Sequence, residues 1–303
     1  MDKPRIFAIV VTYNGKRWYD RCLGSLQASE VPVTTIVVDN DSSDGSADYI
    51  RIHFPEVVLI ESDKNLGFAK ANNIGIRYAI DNGADYVFLL NQDAWLGSPT
   101  TLTGLLQSFV ENEKVGIVSP MHVNGEGTAL DWNFSTSLPG TCISDLYLNK
   151  LHRDYIADYI NAAAWLISRQ CIDFVGGFDT NLFVHYGEDI DYVHRIHYYG
   201  FSLLVNTDCI AYHDRESRRC CNDEYKQRIF HRDEQMHNMK LEYGDINKDI
   251  DIEALIISNK KSIIKFFLKG KQAKAKRLKK INELLIRIKN SRSINKEGNR
   301  PWI

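Results

Sequence analysis

The segment IFAIVVTYNGKRWYDRCLGSLQASEVPVTTIVVDN, residues 6–40, decides the fold of this 303-residue chain. Residues 6–13 are a continuous apolar run of strand length, residues 17–28 space their apolar side chains as a helix does, and residues 34–40 are a second β-branched run. A helix between two short apolar strands is typical of a βαβ unit, whose parallel strands are buried on both faces. The segment therefore predicts an α/β domain.

The same alternation of apolar runs and helical spacing continues to residue 90. The predicted elements are, in chain order, a helix over 46–54, a strand over 57–62, a helix over 69–83 and a strand over 86–90. Residues 121–160 mix Gly, Pro, Ser and Asn with scattered aromatics, which predicts loops and an antiparallel edge. Residues 161–179 predict a strand that runs into a short helix and a Gly-Gly turn. We therefore expect an α/β fold with a mostly parallel sheet and flanking helices.

Charge is divided unevenly along the chain. Residues 1–258 carry 22 Lys and Arg against 37 Asp and Glu, a net charge of −15, whereas residues 259–303 carry 15 against 2, a net charge of +13. The acidic body argues against a basic face built for nucleic acid. In residues 259–292, apolar side chains alternate with clustered lysines, a pattern that predicts peripheral contact with an anionic membrane. A helix docked on the acidic body is the alternative interpretation.

The cysteines and the first residues bear on location. The six cysteines include no C-x2-C pair, which is typical of reduced cytosolic thiols. The residues before the first strand lack the apolar length of a signal peptide. No apolar segment approaches the length of a membrane span, which is about 18 residues. We therefore expect a cytoplasmic protein whose membrane contact, if made, is on the inner face of the plasma membrane.

Each predicted strand of the first half is followed by polar residues. They are Thr12-Tyr13-Asn14-Gly15, Asp39-Asn40-Asp41-Ser42-Ser43, Asp63-Lys64-Asn65-Leu66-Gly67 and Asn91-Gln92-Asp93. Carboxyl ends of parallel strands meet at one edge of a sheet, and open α/β proteins bind ligands in the crevice there. None of these turns is a G-x-G-x-x-G or Walker A loop, which argues against dehydrogenases and P-loop proteins.

Six segments stand in a fixed order between about residues 5 and 219: VVTYN, VVDNDSSDGS, NLGFAKANNIGI, FLLNQDA, VGGFDTNLFVHYGEDIDYVHR and AYHDRESR. Together they resemble the family 2 inverting glycosyltransferases of the GT-A fold, in particular the bacterial cell-surface polysaccharide branch that includes rhamnosyltransferases. The resemblance implies a GT-A domain over residues 1–220, with a nucleotide-sugar half over about 1–120 and an acceptor half over about 121–220. A helical extension, basic from residue 259, would occupy residues 221–303.

The resemblance also implies a nucleotide-diphospho-sugar donor bound at the strand ends. The implied donor-binding residues are Thr12, Tyr13, Asp39, Asn40, Asn65, Gly67, Lys70, Asn91 and Asp93. Asp39 would accept a hydrogen bond from the imide N–H that uracil and thymine share, so we expect a UDP- or dTDP-sugar. An Asx-rich turn that caps the next helix is the alternative for residues 39–44.

The chemistry is implied by two further matches. Asp93 matches the last acidic residue of the family's D-x-D motif, and with His213 it would hold Mg²⁺ or Mn²⁺ against the leaving diphosphate. Asn91 stands at the first position of that motif and adds no charge. Glu188 and Asp189 match the family's acidic pair, with Asp189 as the candidate general base and Glu188 orienting the acceptor. A plain strand-end turn and a solvated helical face are the respective alternatives.

The function expected from the sequence is metal-assisted, inverting glycosyl transfer in cell-surface polysaccharide synthesis. The leading donor is dTDP-L-rhamnose, with a UDP-sugar as the other possibility, and the acceptor is a saccharide or lipid-linked saccharide. A catalytically silent sugar-nucleotide-binding protein is one alternative, because Asn91 weakens the metal motif. A nucleotidyltransferase is a weaker one, because the chain lacks a Gly-rich phosphate loop after its first strand.

Overall fold

A mixed β-sheet forms the centre of the fold. The computed structural model describes residues 3–112, 114–215 and 233–303. Within them the strands are β1 (Ile6–Thr12), β2 (Val33–Asp39), β3 (Val58–Glu61), β4 (Tyr86–Leu90), β5 (Ala94–Leu96), β6 (Val115–Asn124), β7 (Asp154–Ile156), β8 (Ala164–Ser168) and β9 (Ser202–His213). Their order across the sheet is β3-β2-β1-β4-β8-β6-β9-β5, with β7 paired to β9. Since only β5, β7 and β8 run against the direction of the others, the predicted mostly parallel sheet is confirmed.

Helices flank both faces of the sheet, and further helices form an extension at the carboxyl end of the chain. After a 3-10 turn at Lys16–Trp18, they are α1 (Tyr19–Gln27), α2 (Ser46–His53), α3 (Gly67–Asp81), α4 (Thr101–Glu111), α5 (Trp132–Ser135), α6 (Gly140–Tyr147), α7 (Arg169–Val175), α8 (Glu188–Tyr198), α9 (Glu234–Gly244), α10 (Ile252–Leu268) and α11 (Gln272–Glu297). The elements predicted for the first ninety residues all occur, with ends displaced by one or two residues.

The sheet is apolar on both faces because it has a helical layer on each. Alternate residues of β1 belong to opposite cores: Ile9 packs with α3 on one side, and Ala8 and Val10 pack with α1 on the other. The same division explains why β4, with Phe88 on one face and Leu89 on the other, has a continuous apolar sequence.

Residues 121–160 hold more regular structure than loops alone. β6 continues to Asn124, two short helices follow, and β7 pairs antiparallel with β9, so the predicted antiparallel edge is confirmed. The strand and short helix predicted within residues 161–179 are β8 and α7. β8 inserts antiparallel between β4 and β6 and is buried along its whole length.

The basic extension is docked on the body. α9, α10 and α11 bury a third apolar cluster in which Leu284 and Leu285 of α11 meet Leu182 and Phe183 of the body. Arg292 of α11 is buried and donates hydrogen bonds to backbone carbonyls of the α9–α10 connection. The alternative to membrane contact was a helix docked on the body. Within residues 259–292, α11 is such a docked helix. The predicted domain boundary at residues 220–221 lies outside the described residues.

Two observations bear on the expected location: the state of the cysteines and the character of the helices. Cys22, Cys142, Cys171 and Cys209 are free and buried, and the other two cysteines lie outside the described residues. No described helix has the length and apolar character needed to cross a membrane.

Candidate active site

The carboxyl ends of the parallel strands surround a cavity of about 180 Å³, here called the strand-end cavity. It is lined by Val11, Tyr13, Asn40, Asn65, Gly67, Phe68, Asn91, Gln92, Asp93 and His185. Six of the nine predicted donor-binding residues are in this lining. Thr12, Asp39 and Lys70 are not: the first two are buried beneath it, and Lys70 is exposed on α3. The sheet topology therefore brings most of the predicted donor-binding set together.

Thr12 and Asp39 hold the strand ends in shape. The Thr12 hydroxyl donates to Oε1 of Gln92 at 2.6 Å and lies 2.6 Å from the Tyr19 hydroxyl, which fixes the Gln92 side chain beside the backbone of Tyr13. The Asp39 carboxylate accepts from the Ser42 hydroxyl at 2.5 Å and from the Ser42 N–H at 3.2 Å, three residues further along the chain. Burial raises the pKa of Asp39 despite these hydrogen bonds.

The turn before α3 is held from the tip of β2. Oδ1 of Asn40 accepts the Leu66 N–H at 3.1 Å, and Oδ1 of Asn65 accepts the Gly67 N–H at 3.0 Å. Gly67 has a φ of 81°, and a Cβ there would lie 2.4 Å from the carbonyl oxygen of Val184. The packing of residue 184 thus requires glycine at position 67, whatever the ligand.

Asn91, Asp93 and His213 converge because β5 pairs with β9, which sets Ala94 opposite His213. Nε2 of His213 lies 3.6 Å from Oδ1 of Asp93 and 3.5 Å from the side-chain nitrogen of Asn91. On the opposite side of the ring, Nδ1 lies 3.4 Å from the Asp131 carboxylate. A carboxylate at Nδ1 fixes the ring so that Nε2 faces Asp93, which is how metal-binding histidines are commonly oriented.

Asp131 is the anchor of this arrangement and was not predicted from the sequence. It is buried, caps α5 by accepting the Phe134 N–H at 2.9 Å, and accepts a hydrogen bond from Arg215 at 3.0 Å. Burial alone would raise its pKa, but the contacts with His213 and Arg215 lower the pKa below the ordinary range. The residue therefore stays ionised and holds His213 in place.

A second cavity, of about 460 Å³, adjoins the first and contains Glu188 and Asp189. We call it the acidic-pair cavity. Phe68, Asn91 and His185 line both cavities, so the two form one continuous crevice. Glu188 and Asp189 are the first two residues of α8. Partial positive charge at a helix N-terminus favours a carboxylate there.

Asp189 is held as a hydrogen-bond acceptor. Its Oδ2 accepts from the Tyr159 hydroxyl at 2.6 Å, and its Oδ1 accepts the Ile190 N–H at 2.9 Å. Burial raises the pKa of Asp189, and both hydrogen bonds act to lower it. The carboxylate is partly accessible from the cavity, so it can meet a ligand hydroxyl.

Glu188 has a different environment. It is 6% exposed, and its Oε2 has no hydrogen-bond partner among the described residues. Burial, followed by the charge of Asp189, raises the pKa of Glu188 to about 8. Of the two carboxyl groups, Glu188 is therefore the one that holds a proton at neutral pH.

Asp191 and Arg195 have a structural role. They form a buried ion pair of 2.9 Å along α8, and the guanidinium also donates to the carbonyls of Val175 and Gly177 at 2.6 and 2.8 Å. This network fixes α8 against the end of α7 and so positions the helix start that carries Glu188.

Asn161 and Tyr159 are site residues that sequence reasoning missed. Both line the acidic-pair cavity from the segment before β8. Neither the oxygen nor the nitrogen of the Asn161 side chain has a hydrogen-bond partner among the described residues, although both atoms are buried. Such unsatisfied amides are rare in folded proteins and mark places where a ligand or water binds. No motif around residues 159–161 signals them.

The sequence profile described as Glycosyl transferase family 2 matches residues 7–172, which is more than half of the chain. A dTDP-rhamnosyl transferase of Shigella flexneri is 24% identical over 214 residues, covering 69% of this chain and 68% of that protein. An N-acetylglucosaminyl-diphospho-decaprenol L-rhamnosyltransferase of Mycobacterium tuberculosis is 25% identical over 237 residues, covering 69% and 76%. A mannosyltransferase of Pyrobaculum calidifontis, solved with GDP-Man and Mn²⁺, aligns with a TM-score of 0.54 at 18% identity, covering 96% of this chain and 74% of that one. This likeness shows the fold.

Proposed function

Since the chain belongs to glycosyl transferase family 2, whose members transfer a sugar from a nucleotide-sugar, we propose that it is an inverting glycosyltransferase that takes its sugar from a dTDP- or UDP-sugar. We propose dTDP-L-rhamnose as the first donor to test, because rhamnosyl transfer is named for two relatives at 24% and 25% identity. The proposed acceptor is a saccharide or lipid-linked saccharide of a cell-surface polysaccharide.

The observation that supports this function best is the continuity of the two cavities. The donor would lie at the strand ends, and its leaving diphosphate would lie at the boundary formed by Phe68, Asn91 and His185. The acceptor would occupy the acidic-pair cavity, where the unsatisfied atoms of Asn161 and Glu188 can bind its hydroxyl groups. A shared boundary puts the sugar to be transferred between a leaving group and a base, as an inverting displacement requires.

Asp93 and His213 are the residues we propose to hold Mg²⁺ or Mn²⁺. The carboxylate and the Nε2 atom face each other at 3.6 Å, and both suit Mn²⁺, whereas Mg²⁺ prefers oxygen ligands. The described residues contain no group of three or more potential ligands, so diphosphate oxygens or water must complete the coordination. When bound, the ion would neutralise charge on the leaving diphosphate. Asn91 can contact the same diphosphate without adding charge.

Asp189 is the proposed general base. An acceptor hydroxyl oxygen would form a bond to the anomeric carbon as the bond from that carbon to the donor diphosphate breaks. The hydroxyl proton would move to Asp189, and the nucleoside diphosphate would leave. Protonated Glu188 can donate a hydrogen bond to the acceptor. Because Glu188 is protonated, the pair does not carry two negative charges at one place.

The connection between α10 and α11 is the part of the extension we propose to contact the membrane. Ile264, Phe267 and Leu268 are 62%, 67% and 79% exposed at the end of α10, and Lys265 and Lys269 are exposed beside them. Exposed apolar side chains among lysines can insert at an anionic interface. Together with the free buried cysteines, this favours the inner face of the plasma membrane.

A thermal-shift screen followed by a transfer assay tests the proposal. UDP or dTDP with Mn²⁺ should raise the melting temperature, because a ligand that binds only the folded state stabilises it, and GDP should do so less. Incubation with donor and acceptor should then release a nucleoside diphosphate. Nucleotide binding without transfer, across dTDP-rhamnose and UDP-sugars, would favour the silent binding protein instead.

A further inference from the structure

A third cavity, of about 650 Å³, lies between α9, α11 and the segment that leads into α8. We call it the α9–α11 groove. Three cationic side chains line it: Lys240 from α9, and Lys280 and Arg287 from α11. Lys280 and Arg287 are seven residues apart and therefore lie on one face of the helix, two turns from each other. Three positive charges thus surround one cavity in a largely acidic body.

Carboxylates lie near two of the groove cations without a close ion pair among the described residues. The charge of Asp179 acts to raise the pKa of Lys240, and the hydrogen bond from Arg277, followed by the charge of Lys280, lowers the pKa of Asp233. None of the three forms an ion pair within the part of the chain that the structure describes. Two carboxylates also line the groove. Asp233 is engaged by Arg277 in a two-point contact, and Glu283 is exposed and forms no ion pair with the described residues. The lining therefore keeps an excess of positive charge.

The surroundings of Lys240 disfavour its positive charge. Its ammonium lies 5.8 Å from the centre of the Phe183 ring, and burial, followed by the charge of Arg287, lowers the pKa of Lys240. A half-buried ammonium beside a second cation is less stable than one in water. An anion bound between Lys240 and Arg287 would relieve both effects, whereas a neutral ligand would not.

The groove opens into the acidic-pair cavity. His185 and His237 line both, so a ligand with its reacting hydroxyl at Asp189 can extend into the groove without leaving the protein surface. Apolar side chains of Val184, Met236 and Leu284 share the groove lining with the cations. This combination matches a phosphoryl group that joins a sugar to hydrocarbon.

We propose that the α9–α11 groove binds the phosphate or diphosphate that links the acceptor saccharide to its lipid. The inference rests on the proposed function, since it takes the acidic-pair cavity as the acceptor site. Arg287, whose guanidinium also donates to the carbonyl of Asn181, would contact the phosphoryl oxygens together with the two lysines, and Met236 and Leu284 would contact the first hydrocarbon units. The groove would thus select lipid-phosphate-linked acceptors over free saccharides.

Binding of inorganic pyrophosphate to the full chain, measured by calorimetry in EDTA, tests the groove without requiring activity. Lys280→Gln with Arg287→Gln should weaken pyrophosphate binding about tenfold or more, since charge-assisted contacts are lost. Both side chains are exposed, so the fold should persist, and Lys240→Gln provides a second variant with the same expected direction. Lys276→Gln with Lys279→Gln removes two exposed charges of α11 from outside the lining and should change the Kd less than about twofold.

The arms of the experiment separate the possible sources of phosphate. If pyrophosphate binds at the donor site, saturating UDP or dTDP will displace it and the groove variant will bind it as tightly as wild type does, which overturns the proposal. If the groove variant reduces sedimentation with phosphatidylglycerol vesicles more than the control variant does, the site binds lipid headgroups and the acceptor assignment is overturned. Equal pyrophosphate affinity in wild type, groove variant and control also overturns it. UDP- and dTDP-dependent thermal shifts, recorded on the same variants, should not change, and their absence from the wild type would count against the proposed function alone.

Discussion

Replacing Asp189 with Asn removes the proposed base and almost nothing else. The amide has the shape of the carboxylate, and its oxygen can still accept the Tyr159 hydroxyl, which now lies at 2.6 Å, or the Ile190 N–H. The start of α8 should therefore keep its position. Loss of a general base costs about 10²- to 10⁴-fold in rate, or about 2.7 to 5.5 kcal/mol in the activation free energy. We expect kcat to fall by this factor.

Donor binding should be unaffected by the same substitution. Asp189 is not in the lining of the strand-end cavity, which holds the predicted donor contacts. The Kd for the nucleoside diphosphate with Mn²⁺, measured by calorimetry, should stay within about twofold of wild type. Asp48→Asn, which removes a carboxylate from the exposed face of α2, serves as the control and should leave both kcat and Kd unchanged.

Tyr159→Phe probes the base without removing it. The Tyr159 hydroxyl lowers the pKa of Asp189, so its loss should raise that pKa further. Because the base must be ionised, the acid limb of the kcat/KM profile should move to higher pH, while the rate on the alkaline side recovers.

If Asp189→Asn kept more than about a tenth of wild-type kcat while Glu188→Gln lost nearly all of it, the roles of the two carboxyl groups would have to be exchanged.

Four further substitutions test the remaining parts of the site. Glu188 binds its proton more tightly in the folded state, with a pKa of about 8, than at its ordinary value of 4.5, so the free energy of unfolding should fall as pH rises from 4.5 to 8. Glu188→Gln should flatten that fall in urea unfolding, and an unchanged slope would contradict the assignment of the proton. Asp93→Asn should abolish the Mn²⁺-dependent part of the nucleotide thermal shift, and full retention of it would remove Asp93 from the metal site. Asn161→Ala should raise the acceptor KM about three- to tenfold with no loss of melting temperature, since the amide has no partner in the described residues to lose; an unaltered KM would count against acceptor contact. Phe267→Ser with Leu268→Ser should cut binding to anionic vesicles about tenfold or more while transfer to a soluble acceptor persists, and undiminished vesicle binding would refute the proposed membrane contact.

The membrane prediction is tested with point substitutions rather than by truncation. Ile281, Leu284, Leu285 and Ile288 of α11 are buried against the body, so removal of the chain after residue 258 would expose the apolar cluster around Phe183. Loss of function in such a truncated protein would report on stability as well as on membrane contact. Substitutions at Phe267 and Leu268 leave that cluster intact because both side chains are exposed.

The first half of the fold could be predicted because its signals are local. β1, β2 and β4 are short apolar runs, each followed by polar residues, and the parallel arrangement alone places Tyr13, Asn40 and Asn91 at one edge. The resemblance singled out Glu188 and Asp189, and the structure sets both at the start of α8 beside the acidic-pair cavity. The sequence pattern could not show that Thr12 and Asp39 form hydrogen bonds to other residues of the protein and lie outside the lining of the strand-end cavity.

The rest of the site depends on contacts between distant segments. Asp131 meets His213 because the Asp131 N–H donates to the carbonyl of His122 in β6, and the end of β6 pairs with the end of β9, with Asn124 opposite His213. Asn161 enters the cavity from an irregular segment whose sequence has no periodicity. The α9–α11 groove needs two helices that are separated by residues 245–271, together with a body segment near His185, so composition revealed the positive charge but not the cavity.

The measurement that tests the central claim most directly is an NMR analysis of the reaction with a dTDP- or UDP-sugar, run on wild type and on Asp189→Asn. For wild type we predict one nucleoside diphosphate released per sugar transferred, with the anomeric configuration of the product opposite to that of the donor. Asp189→Asn should form the same product at a rate reduced about 10²- to 10⁴-fold. Retention of the anomeric configuration, release of pyrophosphate, or a wild-type rate in Asp189→Asn would contradict the account.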